Sequence, residues 1–249
     1  ARVTSLVNAG VWVDDRLVRA RWIAGADGGN SAVRRWAGLD RSRRHNRRYG
    51  FRRHYRIAPW SEFMEIHWAD GCQIYVTPVS DGEVCVVAIS CDPRLRLDAA
   101  LALFPQLRSR LEAAAAASSE RGGVSCTRRL KHVWRGNVAL VGDASGSVDA
   151  VTGEGLCLLF QQAAALAAAL AREDLSAYQA AHRRLGRRPE WMGDLMLMLD
   201  RFPALRRRTI QAMARDPRLF ARLLAMHVGE LSPFGCVASG LSLGWEMLV

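Results

Sequence analysis

Gly142-Asp143-Ala144-Ser145-Gly146-Ser147-Val148-Asp149-Ala150-Val151-Thr152-Gly153-Glu154-Gly155-Leu156 joins a buried strand to a long helix through a loop of small residues. Before it, Asn137-Val138-Ala139-Leu140-Val141 is a short apolar, β-branched run bounded by Gly136 and Gly142, the pattern of a strand covered on both faces. Behind it, Leu156 to Leu170 is rich in Ala and Leu, with Gln161 and Gln162 its only polar pair, so a helix opens at about Gly153 to Gly155. Glycines at a helix start leave bare backbone for a flat ligand, and the unpaired N–H groups of the first turn carry partial positive charge. Such a turn suits an electron-rich ring or an anion. In a strand–turn–helix without that use, the glycines serve turn geometry and Asp143 caps the helix or solvates the loop.

Upstream, Ala20-Arg21-Trp22-Ile23-Ala24-Gly25-Ala26-Asp27-Gly28-Gly29-Asn30-Ser31-Ala32-Val33-Arg34-Arg35 is a second strand that turns into a helix, with Ser31 placed to cap it. The two segments resemble the Asp-Gly (GADGxxSxxR) and Gly-Asp fingerprints of FAD-dependent oxidoreductases related to aromatic hydroxylases and geranylgeranyl reductases. They stand in that family's order, and the 116 positions from Asp27 to Asp143 leave room for an inserted substrate domain. The fold so implied is α/β: a Rossmann-like FAD-binding domain, its N-terminal part missing, with an inserted antiparallel-sheet substrate domain and C-terminal helices.

The resemblance also implies roles at matching positions. Asp143, after Gly142, would accept hydrogen bonds from the ribityl hydroxyls of the flavin, because an ionised carboxylate is acceptor-only. The backbone of Gly153, Glu154 and Gly155 would face the N1/C2 edge of the isoalloxazine, where reduction places negative charge. Asp27 with Gly28 would hold the loop beside the cofactor. Arg34 would lie near the pyrophosphate or the site of nicotinamide-nucleotide access, although an Arg one turn into a helix is more often a solvated surface residue.

The chain departs from the aromatic-hydroxylase form, which usually carries His after Gly-Asp-Ala-Ala and a Pro midway along the loop, where this chain has Ser145-Gly146 and Ala150. Thr152-Gly153-Glu154-Gly155 is closer to geranylgeranyl reductases. The Trp-x-Trp-x-Ile-Pro element of flavin halogenases does not occur, which disfavours halogenation. Nor does GxGxxG occur, the turn that would cradle the FAD pyrophosphate. The chain opens on Ala1, and Val11 to Ala24 reads as a hairpin before the Asp-Gly segment, so about 100 or more preceding residues are expected.

Half the residues are hydrophobic and 24% are charged, ordinary for a globular protein. The net charge of +11 and the run Arg41-Ser42-Arg43-Arg44-His45-Asn46-Arg47-Arg48 invite a nucleic-acid reading. However, a single lysine, Lys131, stands against 34 arginines, a skew that a GC-rich coding sequence would also produce. We read the run as a solvated connection leaving the cofactor domain, expect no nucleic-acid partner, and keep attraction of NADPH or of an anionic membrane surface as a lesser use. Six cysteines at 72, 85, 91, 126, 157 and 236 show no CxxC spacing, so no metal site is expected and a reducing, cytoplasmic setting is. No apolar stretch is long enough to span a bilayer, and association with a membrane would be peripheral.

Between the fingerprints, Tyr49 to Arg56, Phe63 to Trp68, Cys72 to Pro78 and Glu83 to Ser90 read as strands of an antiparallel sheet, Leu95 to Ala117 as helix and Val124 to Leu130 as a returning strand. The expected division is 1–48 and 131–175 for the FAD-binding domain, 49–130 for the substrate domain and 176–249 for a helical region punctuated at Pro189, Pro203, Pro217 and Pro233. In the resembled family the inserted sheet roofs the flavin, which makes Tyr75, Thr77 and Pro78 candidate pocket residues; packing within the sheet would equally place Tyr75 there.

The activity implied is an FAD-dependent oxidoreductase in which NAD(P)H reduces the flavin. Its substrate would be an apolar or aromatic small molecule, either reduced at a carbon–carbon double bond, the preferred outcome, or hydroxylated or epoxidised. The cofactor carries the chemistry, so no catalytic side chain is named, and His54, His67, His132 and His182 are proton-donor candidates only. The alternative from another class is a non-enzymatic basic binding module that keeps the fold without the cofactor.

Overall fold

The computed structural model describes residues 1–7 and 10–230. The chain divides into two compact units, Ala1–Arg43 with Arg129–Val249, and Arg44–Arg128. Cys236 and Pro233 lie outside the described residues.

The first unit opens with an antiparallel meander of β1 (Val3–Val7), β2 (Gly10–Val13) and β3 (Arg16–Arg19), so the hairpin expected from Val11 gains a strand on its outer side. The short strand β4 (Ile23–Gly25) then leads into α1 (Ala32–Trp36).

In the second unit, β5 (Ser42–Arg56), β6 (Glu65–Ala69), β7 (Cys72–Ser80) and β8 (Glu83–Ser90) are followed by α2 (Leu97–Leu101), α3 (Pro105–Leu111), β9 (Ala115–Ala116) and β10 (Arg121–Leu130). The sheet order is β10-β5-β8-β7-β6, with β9 on β5. Alternation sends Cys72, Ile74 and Val76 of β7 and Val84, Val86 and Ala88 of β8 to one face, where they pack with Leu97, Leu101, Leu107 and Leu111 of the helices.

Two expectations are corrected in this unit. Leu95 to Ala117 is not one helix, because Pro105 lacks the amide a helix interior needs and instead begins α3. Ala115 and Ala116 leave the helical course to pair with Arg56 and Tyr55 of β5. The arginine run is not a loop but the start of β5, with Arg47 exposed and Arg48 buried.

The chain returns to the first unit through β11 (Trp134–Arg135) and β12 (Val138–Leu140), then α4 (Gly155–Ala171), α5 (Leu175–Arg201), α6 (Pro203–Arg215) and α7 (Pro217–Val228). β12 pairs in parallel with β4 and antiparallel with β11, and all three residues of β12 are buried. Pro203 and Pro217 begin helices as expected. Pro189 does not punctuate: α5 runs through it for 27 residues, with Pro189, Gly186, Met192 and Gly193 buried, so packing on both sides offsets the one lost backbone bond. Among the described residues no helix is long and apolar enough to cross a membrane.

The β4–β12 pair is closely approached at Gly25. A Cβ built there would lie 2.8 Å from Leu140 Cδ2 and from Val33 Cγ1, so only hydrogen lets α1 press against the β4–β12 pair. Gly25→Ala is expected to lower stability by about 1–3 kcal/mol through overpacking, seen as a lower denaturant midpoint at unchanged m-value.

Candidate functional site

Parallel pairing sets the site. Leu140 lies opposite Gly25, and the Val141 amide donates to the Gly25 carbonyl at 3.0 Å, so the Asp27 and Asp143 loops leave the carboxyl ends of neighbouring strands. In α/β sheets ligands bind at such ends.

Each loop is organised by its own polar residues. The Asp27 carboxylate accepts from the Ser31 hydroxyl at 2.5 Å, the Ala32 amide at 2.6 Å and the Val33 amide at 3.1 Å, while Ser31 Oγ accepts from the Arg34 amide at 2.9 Å. Desolvation pushes the Asp27 carboxyl up, but these hydrogen bonds outweigh it and hold the group below the usual carboxylate range. Asp27 therefore caps α1 and fixes the loop that contains Gly28.

Arg34 is fully buried, which corrects the solvated-surface expectation. Its Nε donates to Asp40 Oδ1 at 2.8 Å, Nη1 to the Ala144 carbonyl at 3.0 Å and Nη2 to the Gly29 carbonyl at 2.7 Å. The side chain thus ties the Asp-Gly loop to the Gly-Asp loop.

Asp143 differs from Asp27. It is exposed, no donor among the described residues reaches its carboxylate, and the surrounding protein still desolvates it enough to push its pKa up. Gly142 before it has φ +62°, which favours glycine, and a Cβ there would lie 2.7 Å from Leu159 Cδ1, so that side chain would have to shift. Gly153, with φ +69°, and Gly155 are the opposite case: added Cβ atoms would meet nothing within 4 Å. The helix start is therefore open backbone, and the amides of Gly155, Leu156 and Cys157 lie in the first turn of α4, where no helical carbonyl reaches them.

Glu154 does not reach outward. Its Oε1 accepts from Arg188 Nη2 at 3.1 Å, and Arg188 Nη1 donates to the Val228 carbonyl at 2.9 Å, so its side chain anchors the turn to α5 and to the end of α7. Only its backbone belongs to the open turn.

Beneath the Gly-Asp loop lies a set of residues that motif reading did not assemble. Gln162 Oε1 accepts from the Gly142 amide at 2.9 Å, Ser145 Oγ lies 2.8 Å from His182 Nε2, and the Tyr178 hydroxyl donates to the Leu140 carbonyl at 2.6 Å. Gln162 stood out in sequence only as a polar residue in an Ala/Leu helix, and Tyr178 and His182 carry no signal beyond their i, i+4 spacing.

The substrate-pocket candidates sit in the second unit. Tyr75 is buried with its hydroxyl donating to Gln73 Oε1 at 2.9 Å, and it points away from the α2–α3 face together with Thr77. Pro78 lines a small cleft with Pro59, Trp60 and Val76. Of the other histidines, His54 contacts Ser118 Oγ and His67 contacts Glu65 Oε2.

Comparison with solved structures fits this arrangement. A brominase, "Structure of flavin-dependent brominase Bmp2", superposes with a TM-score of 0.73 at 16% identity over 90% of this chain and 63% of that one. BrvH, a flavin-dependent halogenase from Brevundimonas sp. BAL3, gives 0.61 at 15% identity over 80% of this chain and 42% of that one. pqsL, a probable FAD-dependent monooxygenase from Pseudomonas aeruginosa, gives 0.55 at 24% identity over 81% and 61%. The fold is that of FAD-dependent halogenases and monooxygenases. The chain spans less than two thirds of the length of each of these structures. The tryptophan halogenase family profile matches residues 94–195, and no curated protein matches the chain. The profile and the structures named here are those of halogenases and a probable monooxygenase.

The buried histidine makes a pH prediction. Desolvation, with a smaller contribution from the neighbouring Arg183 charge, lowers the His182 pKa to about 4. An unfolded chain binds that proton near pH 6.5, so the unfolded state is favoured as pH falls from about 6.5 to about 4, and stability is complete above that window. The loss is on the order of 3 kcal/mol. Denaturant titrations at pH 7.5 and 4.5 are expected to show a smaller stability difference for His182→Gln than for the parent.

Proposed function

We propose that the chain carries the flavin-contacting loops of an FAD-dependent oxidoreductase of the monooxygenase type, acting on an apolar or aromatic small molecule. The observation that carries this reading is the pairing of an exposed Asp143 carboxylate, unpartnered among the described residues, with the side-chain-free helix start at Gly153 and Gly155. A carboxylate with free acceptor capacity suits a polyol, and bare backbone beside first-turn amides suits a flat ring edge that gains negative charge. These residues fit FAD, which when bound supplies the electron transfer and oxygen chemistry.

In this reading Asp143 holds the ribityl hydroxyls, and the amides at the start of α4 stabilise charge at the ring edge. Asp27 and Arg34 keep the two loops in register, and Glu154 with Arg188 keeps the α4 turn from moving. NAD(P)H is the proposed electron donor. One atom of dioxygen enters the substrate and the other leaves as water. The double-bond reductase preferred from Thr152-Gly153-Glu154-Gly155 yields to oxygenation, because the support lies with hydroxylases and halogenases.

Halogenation is the second reading, favoured by the family-profile match to residues 94–195. Incubation of the intact protein with FAD, NAD(P)H, air, bromide and a panel of phenols, indoles and pyrroles separates the outcomes by mass spectrometry. Addition of one oxygen is expected; bromine in the product would replace oxygenation by halogenation, and no turnover with no retained flavin would favour the non-enzymatic binding module.

Two substitutions test the site itself. Asp143→Ala is expected to weaken FAD binding about 10- to 100-fold, the equivalent of roughly 1.5–3 kcal/mol for a charge-assisted hydrogen bond, measured by flavin fluorescence titration. Gly155→Val puts a side chain where an added Cβ meets nothing within 4 Å, so it is expected to keep the melting temperature within about 3 °C while losing flavin.

A further inference from the structure

Ser145 is completely buried directly under the Gly-Asp loop, and three groups converge on its hydroxyl oxygen. The Gly142 carbonyl lies at 2.8 Å, Gln162 Oε1 at 3.2 Å and His182 Nε2 at 2.8 Å. The first two can only accept. If the hydroxyl donated to His182, both oxygens would face lone pairs; if His182 Nε2–H donates, the hydroxyl proton is free to serve the carbonyl and the amide oxygen together. The network therefore places a proton on His182 Nε2, and burial of the ring favours its neutral form. The Ser145 amide also donates to the Gly142 carbonyl at 2.8 Å, and the Gly142 amide donates to Gln162 Oε1 at 2.9 Å. Both backbone polar groups of the residue immediately before Asp143 are thus held from below.

The holders come from two helices that are themselves fixed. Gln162 is buried in α4, and His182 lies one turn beyond Tyr178, whose ring meets the imidazole edge-on at 5.8 Å and whose hydroxyl reaches the Leu140 carbonyl. Leu140, Gly142 and Ser145 are therefore each gripped by a side chain of α4 or α5, whereas the Asp143 carboxylate has no partner among the described residues. A residue with a free carboxylate on a left-handed glycine hinge needs its backbone set from elsewhere if it is to meet a ligand without an ordering cost.

We propose that His182, acting through Ser145 and with Gln162, is a positioning residue that sets the Gly142–Asp143 backbone and so pre-orders the Asp143 carboxylate for the polyol of the bound cofactor. This rests on the reading of Asp143 as a cofactor ligand. The neighbouring cation is Arg183 on the same helix; Tyr178 is uncharged, since burial pushes its phenol up. The proton on Nε2 serves as a donor in the neutral ring, so the clamp is complete across the neutral pH range.

The test uses His182→Leu, which removes the donor, His182→Gln, which restores an N–H at the same reach, and Ser145→Ala, each in the intact protein. Amide hydrogen exchange read without added cofactor is expected to accelerate at Gly142 and Ser145 at least tenfold more than at Val138 and Ala139 in His182→Leu, and to return towards the parent in His182→Gln. FAD affinity by fluorescence titration is expected to fall about 10-fold in His182→Leu and Ser145→Ala, with the double variant no worse than either alone. Unchanged exchange at Gly142 and Ser145 in folded His182→Leu overturns the clamp whatever the cofactor does. Accelerated exchange with unchanged FAD affinity, in a protein where Asp143→Ala does weaken binding, overturns its link to the cofactor. If Asp143→Ala leaves FAD affinity unchanged, it is the reading of Asp143 that fails, and the exchange data still decide the clamp.

Discussion

The register of one short parallel pair, β4 on β12, is the constraint on which the first unit depends. Each strand contributes only three residues, so the backbone bonds alone hold little, and the pairing is secured by what packs across it. Gly25 admits Leu140 and Val33 to the same spot, and Arg34 spans from α1 to carbonyls of both loops. A buried guanidinium is costly unless its donors are met, and here Asp40 supplies the countercharge and the loop carbonyls the remaining acceptors. The result is that two loops more than a hundred residues apart in sequence are joined by a single side chain.

Around that junction the polar residues divide by purpose. Asp27, Ser31, Gln162, Ser145, Tyr178 and Glu154 spend their hydrogen bonds on protein, while Asp143 and the first-turn amides of α4 do not. Asp143, Gly155, Leu156 and Cys157 are exposed, so their open acceptor and donors are met by water and are free to be taken by a ligand. The same contrast separates the two aspartates, one held below its usual pKa by donors and the other pushed up by desolvation alone.

The second unit follows a simpler rule. One face of its sheet is apolar and covered by α2 and α3, and the other carries Gln73, Tyr75 and Thr77. Gln73 and Tyr75 are themselves buried and hydrogen-bonded to each other on that face. The arginine run begins β5 here, so it is part of a strand of this sheet rather than a loop.

Local signals were legible in the sequence. The strand ending at Gly142, the helix beginning at Gly155, the Ser31 cap and the β7–β8 hairpin all arise from interactions within a few residues, and composition and spacing report such interactions directly. The sequence by itself therefore determined the order of the two loops, the inserted sheet and the candidacy of Asp143. It misled where tertiary contacts outweighed propensity: at Pro189, where packing carries α5 onward, and at Ala115 and Ala116, which an open strand edge draws out of a helix. Only the tertiary structure decided that Arg34 faces inward and that Ser145 meets His182, because those partners lie 110 and 37 residues apart and a buried polar group takes whichever partner the packing brings within hydrogen-bond reach.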